Sequence, residues 1–291
     1  MRFGLLGRGF VAGLGMLLSG GAALGQASAL PSAEPGAQAA AAPQTSANPL
    51  SDKGRALLGA MVKALGGAAW LNREDWVFQG REATFYKGQP HEGAPEFEEY
   101  YRAQPFGERV IIISHYGVII PTNHKDLAEV WTKDDGFEVS YKGVKELPMQ
   151  QVQDYQRRRR HSLEVVVEEW LKEPGVLVTY EGSGMVERRL AEQVSVLTAS
   201  NDAVTVELDE TTHLPLRISC EWRDPLYNDL NKDSLEFDDY HEIQGIMTAF
   251  AITRLHNGEM SGQRFLTKAS YNAKLPADLF DPTRPLQKKA K

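Results

Sequence analysis

Residues 134–142 read Asp-Asp-Gly-Phe-Glu-Val-Ser-Tyr-Lys. Phe137, Val139 and Tyr141 alternate with Glu138, Ser140 and Lys142, the period-two pattern of a strand with one buried face. Asp134-Asp135-Gly136 ahead of it supplies the turn that a hairpin needs. The same unit recurs further along the chain. Val204, Val206 and Leu208 alternate with Thr205 and Glu207 behind the turn residues Asn201-Asp202, and Asn257-Gly258 separates two more strand-like runs. Val110 to Ile113 is apolar throughout, which predicts a strand covered on both sides. Counted this way, about a dozen strands lie between Trp76 and Tyr271. So long an antiparallel sheet cannot stay flat, because strand twist curls it into a barrel or part of one.

Two amphipathic segments flank this series. From about Ser51 to Leu65, Leu58, Met61, Val62 and Leu65 share a helical face, with Ser51 as the expected cap and Gly66-Gly67 as the stop. From Pro148 to Leu171, Val152, Tyr155, Leu163, Val166, Val167, Trp170 and Leu171 form a stripe interrupted by Arg157 to Arg160, and Pro174-Gly175 ends it. The fold class is mainly β with α: a curved antiparallel half-barrel, or incomplete β-barrel, covered by two or more helices.

The 291 residues carry 32 basic and 39 acidic side chains, a net charge of −7. That balance excludes nucleic acid as a general partner, since phosphate-backbone binding needs a cationic footprint. The single cysteine, Cys220, allows no internal disulfide, and alternation places it beside Ile218 and Trp222 as a buried, inert thiol. Residues 1–29 have the layout of a signal peptide: Arg2 and Arg8, an apolar run, then Ala27-Ser28-Ala29. The uncharged run Phe10 to Leu24 is short for crossing a bilayer. The expected location is therefore periplasmic or secreted, with peripheral rather than integral membrane contact. Residues 30–49 are an Ala/Pro-rich tract read as a disordered linker. Residues 51–285 form a single domain, followed by a basic tail at 286–291.

Several segments together resemble a known family. They are the helix ending in Leu65-Gly66-Gly67, the strands through Tyr100-Tyr101-Arg102 and Pro105, the Asp135-Gly136-Phe137 hairpin and the later helix. Thr211-Thr212-His213-Leu214-Pro215, Phe237-Asp238-Asp239-Tyr240, Gly245-Ile246, and Asn272 followed by Leu279-Phe280-Asp281-Pro282 complete the likeness. The succession resembles the outer-membrane lipoprotein carrier and sorting superfamily, the LolA-like proteins, over roughly residues 51 to 285. The resemblance implies an incomplete barrel whose concave mouth is covered by helices, an apolar cavity for acyl chains or a hydrophobic partner, and no catalytic residues. The chain departs from the carriers in its length and its Arg157–Arg160 run, and no single arginine corresponds to a carrier's functional one.

Other constellations fail as catalytic or metal motifs. His241-Glu242 lacks a second histidine at 245 and lies in a strand pattern, and His91, His115, His124, His161, His213 and His256 are scattered. No metal and no cofactor is expected. Asp224, Asp229, Asp233, Glu236, Asp238 and Asp239 lack the glycine of a calcium loop and read as a solvated loop leading into a strand. Ser183 lacks the nucleophile elbow and reads as a turn. Arg157, Arg158, Arg159 and Arg160 are either an exposed helix face neutralised by acids such as Glu164 or a rim for lipid phosphates or an acidic partner.

The candidate ligand-binding set is Met61, Leu65, Trp131, Phe137, Tyr141, Val166, Trp170, Trp222, Phe250 and Phe265, all placed on buried faces by pattern. Core packing is the default for each singly, and their sum would line a pocket. The expected function is an exported protein that holds a lipid or lipidated chain in an apolar barrel cavity, with envelope proteins as further partners. The alternatives are a cell-envelope hydrolase with a polar cleft and a non-catalytic envelope interaction protein.

Overall fold

The computed structural model describes the backbone of residues 48–91, 93–116 and 122–286, and the side chains of all of these except 114–116 and 122–126. The expected leader at 1–29, nearly all of the 30–49 linker, and the tail beyond Leu286 lie outside the described residues, as do the side chains of His115 and His124.

Helix α1 spans Pro49–Leu65. Its cap is Asn48, whose side chain accepts from the Leu50 N–H at 3.1 Å, with Pro49 just inside. This corrects the expected start at Ser51: Pro at the first helical position needs no hydrogen bond of its own, so the helix begins earlier. Gly66 ends it at φ 125°, and a Cβ there would meet the Gly245 carbonyl at 2.3 Å. Glycine is required on both counts. A short helix α2 (Ala68–Leu71) leads into the sheet.

The first series of strands is β1 (Asp75–Tyr86), β2 (Gln89–His91), β3 (Glu96–Arg102), β4 (Gly107–Tyr116), β5 (Thr122–Trp131), β6 (Gly136–Ser140) and β7 (Gly143–Glu146). Helices α3 (Met149–Arg160) and α4 (Leu163–Glu168) and a 3-10 turn (Trp170–Lys172) follow. The second series is β8 (Leu177–Val186), β9 (Arg189–Leu197), β10 (Ala203–Asp209), β11 (Pro215–Arg223), β12 (Leu230–Ile243), β13 (Ile246–His256) and β14 (Glu259–Tyr271). All belong to one 14-stranded sheet among the described residues, in the order β7-β6-β5-β4-β3-β1-β14-β13-β12-β11-β10-β9-β8, with β2 beside β1. Every pairing is antiparallel. The sheet is open.

This order decides where the helices go. β7 and β8 follow one another apart from the helices, yet they form opposite edges of the sheet. The connecting segment must therefore cross the sheet, and twist gives it a concave face to cross. The expected single helix from Pro148 to Leu171 is in fact two. Pro148 precedes α3 rather than opening it, His161 ends α3, and Ser162 caps α4 by accepting from the Val165 N–H at 3.4 Å.

The concave face is filled on one side. Leu57, Leu58, Met61 and Leu65 of α1 pack with Leu163, Val165, Val166 and Val167 of α4 and with Trp170 over Val178, Val194, Val196, Val204, Val206 and Leu208. Phe137 lies elsewhere, packed with Leu286 against Ile111, Ile113, Ala128, Val130 and Val139. The alternate residues of β4 and β5, Val110, Ile112, Leu127, Glu129 and Trp131, face the concave side. The doubly covered strand read from Val110 to Ile113 is thus β4. Arg109, 2% exposed, donates to the carbonyls of Leu279, Asp281 and Arg284 and ties the carboxy-terminal segment to β4.

Two further expectations are corrected. Ser183 sits inside β8, not in a turn: Gly182, at φ 113°, marks a bulge where the register shifts. Of the acidic group, Asp224 and Asp229 are loop residues, while Asp233, Glu236, Asp238 and Asp239 belong to β12. Asp233 is paired rather than solvated, because it accepts from Trp222 and contacts Arg157 and His256.

Candidate binding cavity

The other side of the concave face is hollow. A cavity of about 580 Å³ lies between α3 and strands β1, β3–β5 and β11–β14. Its apolar walls include Trp76, Val110, Ile112, Leu127, Trp131 and Ile218. A smaller space of about 100 Å³, lined among others by Leu65, Trp70, Phe78, Phe237 and Ile252, shares Trp76 and Glu164 with it.

The lid is α3, fastened at its middle and at its carboxy-terminal end. Tyr155 stacks on Trp131 with ring centroids 4.0 Å apart and planes at 5°, and its hydroxyl donates to Glu108. At the far end, His161 bridges the Arg157 carbonyl at 2.7 Å and Asp202 at 3.0 Å, and Arg160 pairs with the same Asp202. Between them, Arg157 lies over Trp222 at 3.5 Å and pairs with Asp154 at 2.8 Å, while Arg159 covers Phe106 at 3.7 Å. The lid contacts are thus mostly aromatic and charged, whereas α4 is anchored by aliphatic packing.

The floor is charged, which corrects the expectation of a purely apolar interior. Arg264 donates to Glu82 at 2.8 Å and to Glu99 at 2.7 Å. Burial opposes its charge, but Glu82, Glu99 and Glu108 outweigh that cost and raise its pKa. Burial, then the Glu99 carboxylate, pushes Glu108 up to about 7 despite the Tyr155 hydrogen bond. Glu129 is raised by burial and by Glu82. Arg254 is brought down to about 10 by burial, then by the charges of Arg158 and Arg264. Arg158 is lowered chiefly by burial. Carboxylates and guanidiniums so perturbed by burial in one cavity mark it as the functional candidate.

The candidate residues separate by position. Trp131 lines the large cavity and Leu65 the small one. Met61, Val166 and Trp170 fill the core, none more than 1% exposed. Trp222 is half-buried under Arg157 and outside both linings. Phe250 is half-buried with its ring edge-on to His241 at 4.6 Å, and Phe137 packs on the cluster of Ile111, Ile113, Ala128, Val130 and Val139. Two placements are wrong: Tyr141 is 87% exposed in the β6–β7 turn, and Phe265 is 48% exposed. In β14 the inward position beside Phe265 belongs to Arg264. Of the arginine run, Arg158 and Arg159 line the cavity, while Glu164 pairs with Arg73 instead of the run. Pattern reading missed Glu82, Glu99, Glu108, Arg254 and Arg264. The signal available was a charged residue at an inward-alternating position of each strand.

Cys220 lies at the wall, its thiol pushed up to about 12 by burial and then by Asp233, as an inert thiol should be. Among the described residues no group of three or more His, Cys, Asp or Glu side chains could hold a metal ion. No described helix is long and apolar enough to cross a membrane.

The fold is shared with solved structures. A domain from Vibrio parahaemolyticus named for outer membrane lipoprotein sorting superposes with a TM-score of 0.52 at 12% identity, covering 80% of this chain and all of that one. A DUF1329 family protein from Desulfovibrio piger gives 0.52 at 13% identity over 80% of this chain and 97% of that one. A LolA superfamily protein from Nitrosomonas europaea is more remote, at 0.45 and 8% identity over 78% and 96%. No family model and no curated protein matches the chain. The chain has a LolA-like fold, and at these identities the likeness is one of fold alone.

Proposed function

We propose that the chain is a non-catalytic binding protein of the cell envelope that carries a lipid, or the acyl chain of a lipidated partner, between the curved sheet and the α3 lid. The observation that carries this reading is the roughly 580 Å³ cavity under a lid held by a few side chains. That volume is in the range of small-molecule sites, about 300–1,000 Å³. Each methylene of a guest laid against Trp76, Ile112, Leu127 and Ile218 gains about 0.8 kcal/mol. Release of Tyr155 from Trp131 and Glu108, of Gln156 from the Lys133 and Asp134 carbonyls and of Val152 from its buried seat would lift the amino-terminal half of α3. No residue of that half belongs to the α1–α4 core. The likeness to a domain named for lipoprotein sorting agrees with this reading. Export to the periplasm or beyond, and contact with envelope proteins, belong to the same proposal.

Displacement of a fluorescent fatty-acid probe tests it. The chain should take up the probe and release it to long-chain lipids, and Trp131→Ala should weaken uptake. A chain that takes up no probe contradicts the proposal.

One observation favours a hydrolase as the second reading: Glu108, near neutral pKa, faces the cavity beside Glu99. Turnover of an ester or glycoside that Glu108→Gln abolishes would replace the carrier reading with this one.

A further inference from the structure

We propose that Arg158 of the lid and Arg254 of the sheet form an oxyanion subsite inside the cavity, so that the occupant is an anionic amphiphile. The inference rests on the carrier reading and names the ligand's polar end.

Eight of the sixteen arginines among the described residues keep a carboxylate partner, and the buried Arg109 is held by three main-chain carbonyls instead. Arg73, Arg81, Arg157, Arg160, Arg189, Arg217, Arg264 and Arg284 all have carboxylates in ion-pair contact. Arg158 and Arg254 line the cavity and, among the described residues, have neither an ion pair nor a side-chain hydrogen bond. The Arg254 Nε is sealed from solvent and unpartnered. Both side chains are half-buried, and a cation drawn out of water with neither a counterion nor hydrogen bonds is costly.

The nearby acids are already engaged. Glu82 accepts from Arg264, Asp154 from Arg157, and Asp233 from Trp222 while it contacts Arg157 and His256. Of the other carboxylates in the lining, Glu99 accepts from Arg264 and Glu164 pairs with Arg73, while burial raises the pKa of Glu108 and of Glu129. The charges that Arg254 feels first are those of Arg158 and Arg264, both cations. Two guanidiniums, one from the lid and one from the floor, thus face the cavity with no hydrogen-bonded carboxylate of their own, and Asp154, Asp233, Glu82 and Glu108 act on them only at longer range.

Local sequence keeps that space open. Arg254 pairs across the sheet with Gly262, which in turn faces Thr84. A Cβ at Gly262 would lie 3.9 Å from Arg254 Nη1, so the guanidinium rests over a residue without a side chain. The apolar residues Ile218 and Leu235 line the same cavity, and the smaller hydrophobic space opens beside Trp76 for a tail. A carboxylate or phosphate accepts from guanidinium N–H groups in matched geometry, which an alcohol or ester cannot do.

The test is competition for the full chain against an uncharged naphthylamine probe, using dodecanoate, dodecyl phosphate, dodecanol and inorganic phosphate. Dodecanoate and dodecyl phosphate should displace the probe at concentrations at least about tenfold below dodecanol. In Arg254→Gln and in Arg158→Gln that ratio should fall close to one. Arg158 lies on the lid, so its variant decides the matter if the Arg254 variant fails to fold by circular dichroism. A preference for one of the two anions identifies the source of the charge and supports the subsite. Dodecanol as potent as both anions in the native chain, or a ratio that survives both variants, overturns the subsite and leaves the carrier reading intact. Inorganic phosphate as potent as dodecyl phosphate overturns the amphiphile. If no dodecyl compound displaces the probe, the carrier reading falls and the subsite with it.

Discussion

Arg264→Met removes the cation on which two carboxylates of the cavity floor depend. Arg264 donates to Glu82 and Glu99 at 2.8 and 2.7 Å, and the side chains of the three are 23%, 16% and 10% exposed. Glu99 would keep only the Trp76 indole donor at 3.1 Å, and Glu82 would lose its ion pair. Breaking one side of a buried pair costs about 3–5 kcal/mol, mostly from the charge left behind. That is a large part of a total stability of about 5–15 kcal/mol. Urea unfolding at neutral pH should show the loss as a midpoint lowered by about 2 M, taking a slope of about 2 kcal/mol per M. Adding Glu82→Gln and Glu99→Gln should restore most of it, since the penalty lies in the uncompensated charges. A loss below about 1 kcal/mol in Arg264→Met would refute the reasoning, because it would mean that water in the cavity already solvates both carboxylates.

Three further outcomes follow from the same geometry. Glu108 has its pKa raised to about 7 in the folded chain, so the folded state holds the proton longer and its stability falls as pH rises from about 4.5 to about 7. Glu108→Gln should match the native chain at pH 4.5 and exceed it at pH 8 by up to about 3 kcal/mol in urea titrations; equal stability at both pH values would count against the assignment. Gly80→Ala places a Cβ 2.1 Å from the Phe265 carbonyl at a register shift, and scanning calorimetry should show a melting point lower by several degrees, about 1–3 kcal/mol. Arg109→Met cuts the bonds to the Leu279, Asp281 and Arg284 carbonyls, so the segment around Ala277–Phe280 should exchange amide hydrogens much faster while β4 stays protected.

The strands and their turns were legible in the sequence because their alternation and turn residues are local properties. Asp134-Asp135, Asn201-Asp202 and Asn257-Gly258 fall between the strands they were expected to join, and Gly136 opens β6. The cap at Asn48 and the break at His161–Ser162 were missed, since both depend on single hydrogen bonds competing with a continuous apolar stripe. The cavity was the least legible part. Reading apolar residues as inward holds where the interior is packed, as at Val204, Val206 and Leu208. It inverts in β14, where the interior is a charged hollow: Arg264 points in and Phe265 points out. A shift of one position swaps every side chain to the other face. The arginine run was read as one unit, yet its members part ways: Arg160 is exposed, while Arg158 and Arg159 reach the cavity. Helical geometry places successive residues about 100° apart, so a run of four cannot share one environment.

Native mass spectrometry of the chain, purified from the envelope fraction without detergent, bears most directly on whether the space beneath α3 holds a guest. The expected result is an excess mass of one small amphiphile that leaves on denaturation and is replaced by added dodecanoate. Bare polypeptide mass that stays unchanged when dodecanoate is supplied would contradict it.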